Sequence, residues 1–347
     1  MNNESWDDLA AMIDGRKINY QPTGFIIDSP WIPQWYGISN IDYYSSDELW
    51  LRANLKAINS FPHSWFLPGF WSEYGMCTEP SAFGARMIWL EKNLPHAEKT
   101  ISNVGDIVKV PQPDVKRDGL LPFVINRLKI TEKEIIKSGH QIRFAVSRGP
   151  FNIASFLMGT TEFMMSLAMN PEEASRLISR ITSFICDWIA WQKECFPSID
   201  GIFILDDIIG FVGEDEFRQF VIPSFRKILN SIDAKVKFLH NDAQGLITAK
   251  YLNEMVINMF NFSFEHTMSD IRELAGPEVI LVGNIPPRDV LAAGTSEQVN
   301  EAVKKAMGEI TDHSNIIWSC GGGMPPGTSN KNIKTFMDAV KQYSSEL

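Results

Sequence analysis

The segment FLHNDAQG, Phe238 to Gly245, sets His240 two residues from Asp242. At a strand end that spacing lets two side chains reach one ion. Three chemistries fit it: a metal site, a proton-transfer pair, or a polar loop that happens to hold a histidine. Other residues able to do chemistry lie scattered along the chain. Asp206 and Asp207 follow the apolar run GIFIL; Glu79 and Cys77 follow SWFLPGF; Glu265 follows MVINMFNF; Cys320 and three glycines follow NIIW. Thiolate, imidazole and carboxylate are all zinc ligands, and an open position is the mark of a catalytic zinc, so His240, Cys320 and either Asp242 or Glu265 form a candidate set. The bland alternative is a core cysteine and a histidine held by a backbone carbonyl, and no dense motif such as HExxH decides against it. Asp206 and Asp207, with Glu79, are candidates for general acid/base work. Neighbours on a strand point to opposite faces, so only one of the two aspartates can face a shared site.

These groups have to be positioned by the runs they follow. Strand-like apolar segments recur at Thr23–Ile27, Ser64–Phe70, Ile142–Val146, Gly201–Leu205, Ala234–Leu239, Met255–Phe262, Val279–Val282 and Asn315–Trp318. They are apolar on both faces, as strands of a buried parallel sheet are. Amphipathic stretches at Glu172–Cys195, Asp215–Leu229, Ser296–Ile310 and Asn330–Tyr343 fill several gaps. Eight strands alternating with helices is the count of a (β/α)8 TIM barrel, with an open doubly wound sheet as the alternative. The whole chain, 1–347, reads as one domain. The proline-bearing stretch 87–137 reads as an inserted lobe between the second and third strands. In a barrel the chemistry belongs at the C-terminal strand ends. Those ends carry Asp28, Trp31, Trp35 and Tyr36 after the first strand and Trp71, Glu73, Tyr74 and Glu79 after the second. Arg148 follows the third and Asn284 the seventh. The aromatics, with Arg148 and Asn284, are candidate substrate-binding residues; ordinary core packing is the competing role.

Composition narrows the classes. Of 347 residues, 44% are hydrophobic and 21% charged, ordinary for a globular protein. A formal net charge of −10 argues against nucleic-acid or anionic-membrane binding. No apolar run approaches the roughly 20 residues that cross a bilayer. The acidic start MNNESWDDLAAMIDG does not read as a signal peptide. Four scattered cysteines without a CxxC pair suit a reducing cytoplasm.

Several stretches together resemble the uroporphyrinogen decarboxylase superfamily: WDDLAAMIDGRKINYQP, GIFILDDIIGFVGEDEFRQFVIPSFRKI, FLHNDAQG, VILVGNIPPRDVLAAGTSEQV and IIWSCGGGMPPGTSNKNIKTFMDAV. The resemblance implies a (β/α)8 barrel. Its decarboxylases carry an arginine-rich segment for the substrate carboxylates, whereas GFIIDSPWIPQWYGI holds no arginine. Its other branch comprises methyltransferases that exchange a methyl group with the cobalt of a separate corrinoid protein. In the zinc-dependent members a His-x-Cys pair follows the fifth strand and a cysteine the eighth. His240 and Cys320 match two of these positions, and Asp242 replaces the first cysteine, a harder ligand that suits an oxygen- or nitrogen-linked methyl group. The resemblance therefore implies zinc, a corrinoid (cobalamin) carried by a partner protein, and a small methyl donor or acceptor, the best guess being a methoxylated aromatic. A homodimer is compatible with it. A metal-free enzyme of the decarboxylase kind, with Asp242 and His240 as an acid/base pair, and a noncatalytic corrinoid- or tetrapyrrole-binding barrel remain as alternatives.

Overall fold

The computed structural model describes residues 1–27, 29–90, 93–243 and 246–345; Asp28, Gln244 and Gly245 lie outside them. Eight strands form one parallel sheet: Thr23–Ile26, Ser64–Leu67, Phe144–Arg148, Gly201–Leu205, Val236–Asn241, Met259–Phe262, Ile280–Ile285 and Ile316–Cys320. Numbered first to eighth, they lie in the order 2-1-8-7-6-5-4-3, the cyclic order of a barrel.

Alternation along the strands shows that the sheet curls around. Ile26, Trp65, Leu67, Phe144, Val146, Phe203, Leu205, Val236, Phe238, Met259, Ile280, Val282 and Ile317 come from all eight strands and form one apolar cluster. A flat sheet could not bring its two ends into one cluster. Phe203 stacks on Phe238 at 4.4 Å between ring centroids. Trp71, just past the second strand, meets Phe203 edge-on at 5.9 Å. The helix Asn3–Ile13 closes the bottom, adding Trp6, Leu9 and Met12 to the same interior. The intervening residues, among them Phe25, Phe66, Ile202, Leu239, Phe260, Leu281, Ile316 and Trp318, face the helices in a second cluster.

Among the described residues no ladder joins the second and third strands, and side chains fill that seam. The third strand's Val146 amide donates to Gln192 Oε1 at 3.0 Å, and its carbonyl accepts from Gln192 Nε2 at 3.0 Å and Trp188 Nε1 at 3.1 Å. Two residues on, the Arg148 amide donates to Glu79 Oε1 at 2.9 Å. The backbone groups that a neighbouring strand would pair are thus satisfied from the helix Pro171–Cys195 and from Glu79.

The stretch 87–137 divides in two. A short hairpin, Met87–Ile88 with His96–Ala97, stands outside the main sheet. The helix Leu121–Lys137 is a regular member of the outer layer, placing Arg127 against Asp47 and over the Tyr74 ring. The main strands match the eight apolar runs, but four run further at their C-terminal ends than apolarity suggests. The third ends at Arg148, the fifth at Asn241, the seventh at Ile285 and the eighth at Cys320. Hydrophobic pattern stops where the strands enter the polar mouth, while their ladders continue.

Candidate metal centre

Parity along the fifth strand sends Val236, Phe238 and then His240 into the barrel. His240 is 8% exposed at the rim of this interior. Its Nδ1 lies 2.7 Å from Asn261 Oδ1 on the sixth strand. The Asn261 amide nitrogen donates to the carbonyls of Val282, at 2.8 Å, and Cys320, at 3.3 Å. Those two bonds set the amide's orientation, so Oδ1 must accept and Nδ1 must carry the proton. The Nε2 lone pair is left facing the mouth. Such a partner on the far ring nitrogen is the usual support of a metal-binding histidine.

What Nε2 faces is carboxylate. Asp207 Oδ1 stands 3.7 Å away and accepts the backbone amide of Asp242 at 3.2 Å. One donor atom each from Asp207, His240 and Asp242 lies within 4.8 Å of the others. A neutral imidazole nitrogen and a carboxylate oxygen are both acceptors, so a proton or a cation belongs between them. Burial pushes the Asp207 carboxyl above its usual range; a protonated His240 and Arg148 pull it back, while Asp242 adds to the rise. Although 39% of the Asp207 side chain meets solvent, that solvent is the recess of the mouth, with protein on most sides. Ligands about 2.0–2.1 Å from a tetrahedral zinc stand roughly 3.4 Å apart, so the donor types and spacing fit such an ion.

The other candidates are distributed as follows. Asp206 points away from the axis. Its two carboxylate oxygens accept the amides of Phe151, at 2.9 Å, and Asn152, at 3.1 Å, in the first turn of the helix Pro150–Met158. Gly149 lies so close that an added Cβ would sit 2.5 Å from Asp206 Cβ. Full burial raises this carboxyl well above its usual value. It serves as an anchor for the helix. Cys320 shares its parity with Ile316 and Trp318 on the helix-facing side, and its thiol donates to the Gly322 carbonyl at 3.4 Å. Burial, with the Asp242 charge adding to it, pushes the thiol up to about 12. Cys320 is not part of the three-residue cluster, but its loop touches it. A Cβ on Gly322, whose φ is +126°, would stand 2.9 Å from Asp242 Oδ2. Glu265 sits exposed beyond the sixth strand, outside the cluster.

Of the five aromatics proposed to bind substrate, Trp71 alone joins the barrel interior. Trp31 is fully buried, stacks on Trp35 at 5.2 Å and donates to the Thr328 carbonyl. Trp35 and Tyr36 pack on the outer cluster with Lys56 over both rings. Tyr74 lies buried between Tyr44 and Trp89. These four are spent on packing. Arg148 faces inward on the third strand, ion-paired to Glu73 at 2.7 Å. Asn284 holds the inward position on the seventh and donates to the His266 carbonyl. The residue that sequence reading missed is Asn261. Its signal is a lone amide inside the apolar strand MFNF.

Glu79 is almost fully buried; burial raises its carboxyl, against the pull of Arg148, and its Oε2 has no partner among the described residues. Glu79→Gln keeps an acceptor for the Arg148 amide and is expected to cost under about 1 kcal/mol. Glu79→Ala orphans that amide and should cost about 1–3 kcal/mol in denaturant melts. The folded protein holds this proton at pH values where the unfolded chain has released it. Wild-type stability should therefore fall as pH climbs above the usual carboxylate range, and Glu79→Gln should flatten that fall.

Residues 34–343 match the family model described as uroporphyrinogen decarboxylase (URO-D). The chain belongs to the uroporphyrinogen decarboxylase family. Curated members of this family that resemble it include the uroporphyrinogen decarboxylase of Chloroherpeton thalassium, 22% identical over 281 residues, covering 77% of each chain. That of Chlorobaculum parvum is 25% identical over 260 residues, covering 71% of each. Among solved structures, a methyltransferase from Methanosarcina mazei superposes with a TM-score of 0.79 at 18% identity, over 97% of this chain and 98% of that one. A B12-independent methionine synthase from Shewanella gives 0.53 at 10% identity, over 87% and 91%. At these identities the likeness shows a shared TIM-barrel-like fold. No helix among the described residues is long and apolar enough to cross a membrane.

Proposed function

We propose that the protein is a methyltransferase that moves a methyl group between a small methylated compound, best a methoxylated aromatic, and the cobalt of a corrinoid carried by a partner protein. The observation that carries this reading is the His240 Nε2 lone pair, oriented by Asn261 onto the carboxylates of Asp207 and Asp242. His240, Asp207 and Asp242 would hold zinc, leaving the fourth position to the substrate, while the Cys320 thiol, turned towards the helices, stands outside the set. Zinc there would polarise the methyl-bearing heteroatom and make it a better leaving group or nucleophile. The protein's own groups do the rest. Asn261 fixes the ring, and Trp71 floors the mouth and keeps water from below.

The M. mazei methyltransferase supports the reading through its fold. The relatives' names favour a decarboxylase instead, and the charge of the mouth speaks against that. A substrate with eight carboxylates needs many cations. Among the described residues the inward strand positions carry one Lys or Arg, Arg148, which faces Glu73 and Asp207.

Protein purified without chelator is expected to contain zinc and to transfer methyl groups to cob(I)alamin from a methoxyaromatic within a panel that also holds methylamines and methylthiols. Absence of zinc, with release of CO2 from uroporphyrinogen, would overturn the proposal. Cys320→Ser should leave zinc affinity within about threefold of wild type, read by competition with a chromogenic chelator. A loss of more than roughly tenfold would instead put the thiol in the ligand set.

A further inference from the structure

Arg148 occupies the same interior row as His240. The register pairs Arg148 with Leu205 and Leu205 with His240. With strands about 4.8 Å apart, the two backbones stand roughly 10 Å from each other. A single substituted aromatic ring laid over Leu205 would bridge these two groups. Its methoxyl group would lie at the carboxylate–histidine cluster and its opposite substituent near Arg148.

The guanidinium is already engaged. It lies 5.4 Å over the Trp71 ring, and Nη2 bonds Glu73 Oε2 at 2.7 Å, with 7% and 6% of the two side chains exposed. Glu73 is itself held, its Oε1 accepting from Ser29 Oγ at 3.4 Å. A substrate carboxylate arriving here would lose its water, meet a cation neutralised by Glu73, and stand beside Glu73's own charge. Buried carboxylates need a partner of their own, and a site can reject an ionic ligand by withholding one. A neutral substituent meets no such penalty, and a phenolic hydroxyl could donate to Glu73.

We propose that Glu73, by occupying Arg148, makes the mouth select methoxylated aromatics that lack a carboxylate over their carboxylated counterparts. This rests on the methoxyaromatic reading above. Its test is equilibrium binding, by calorimetry, of 4-methoxyphenol and 4-methoxybenzoate to the zinc-bearing protein. Wild type should bind the phenol at least about tenfold more tightly. Glu73→Gln keeps the shape and a hydrogen bond to the guanidinium while removing the competing charge. It should raise benzoate affinity at least about tenfold. The double variant Glu73→Gln/Arg148→Gln should lose that gain while still binding the phenol.

Equal or tighter binding of the benzoate by wild type overturns the inference, as does a phenol-to-benzoate ratio that Glu73→Gln leaves unchanged. Should Glu73→Gln fail to fold, the wild-type ratio still decides. Binding of neither ligand to wild type removes the methoxyaromatic reading itself. That outcome is distinct from binding of both without discrimination.

Discussion

His240→Ala is expected to strip zinc from the protein and to lower methyl transfer by more than roughly 100-fold, about 2.7 kcal/mol in kcat/KM. The imidazole is the one nitrogen in the cluster, and its loss leaves Asp207 and Asp242 facing each other with nothing to hold an ion between them. The fold should survive, because the ring sits at the rim, where a water can replace it. Asn261→Leu provides the graded control. It removes the bond that orients the ring and leaves the ligand in place, so zinc affinity should fall by roughly 10–100-fold. Zinc content by mass spectrometry and methyl transfer to cob(I)alamin read both variants. A His240→Ala protein that keeps its zinc would sink the assignment of the site.

The second large effect is on stability. Asp206→Ala leaves the buried amides of Phe151 and Asn152 without an acceptor at the start of a helix, where no intrahelical partner exists. The expected loss is about 2–4 kcal/mol. For a chain of this length that corresponds to a melting point lower by roughly 3–6 °C. Zinc content and kcat of the folded fraction should stay within about threefold of wild type. Asp206→Asn should do no better than partial rescue, since an amide offers one acceptor oxygen where the carboxylate offers two. A variant that is fully stable but inactive would show that Asp206 acts in the chemistry.

Much of this was legible in the residues. The eight apolar runs all became strands, because a barrel strand buried on both faces advertises itself by continuous apolarity. His240 and Asp242 came together as their spacing suggested, and strand alternation separated Asp207, facing in, from Asp206, facing out. What escaped were facts of parity and length. Cys320 was expected opposite His240. Its strand runs two residues beyond the apolar run, and the parity of Ile316 and Trp318 turns the thiol towards the helices. The aromatics were expected to line the mouth, yet four of the five pack outside the barrel, since a large ring satisfies either role equally well in sequence. Asn261 drew no notice because an amide within an apolar strand shows its purpose only once the neighbouring strands supply its partners.

The seam between the second and third strands has a consequence for how the chain is connected. Its backbone groups are capped by Gln192, Trp188 and Glu79, so it parts without breaking a single ladder bond between strands. The first two strands are tied to the sheet through the eighth, by way of the first. The seam is therefore the natural site at which to re-thread the molecule. A circular permutant that starts at the third strand and ends after the second would cut the chain where the barrel was never stitched.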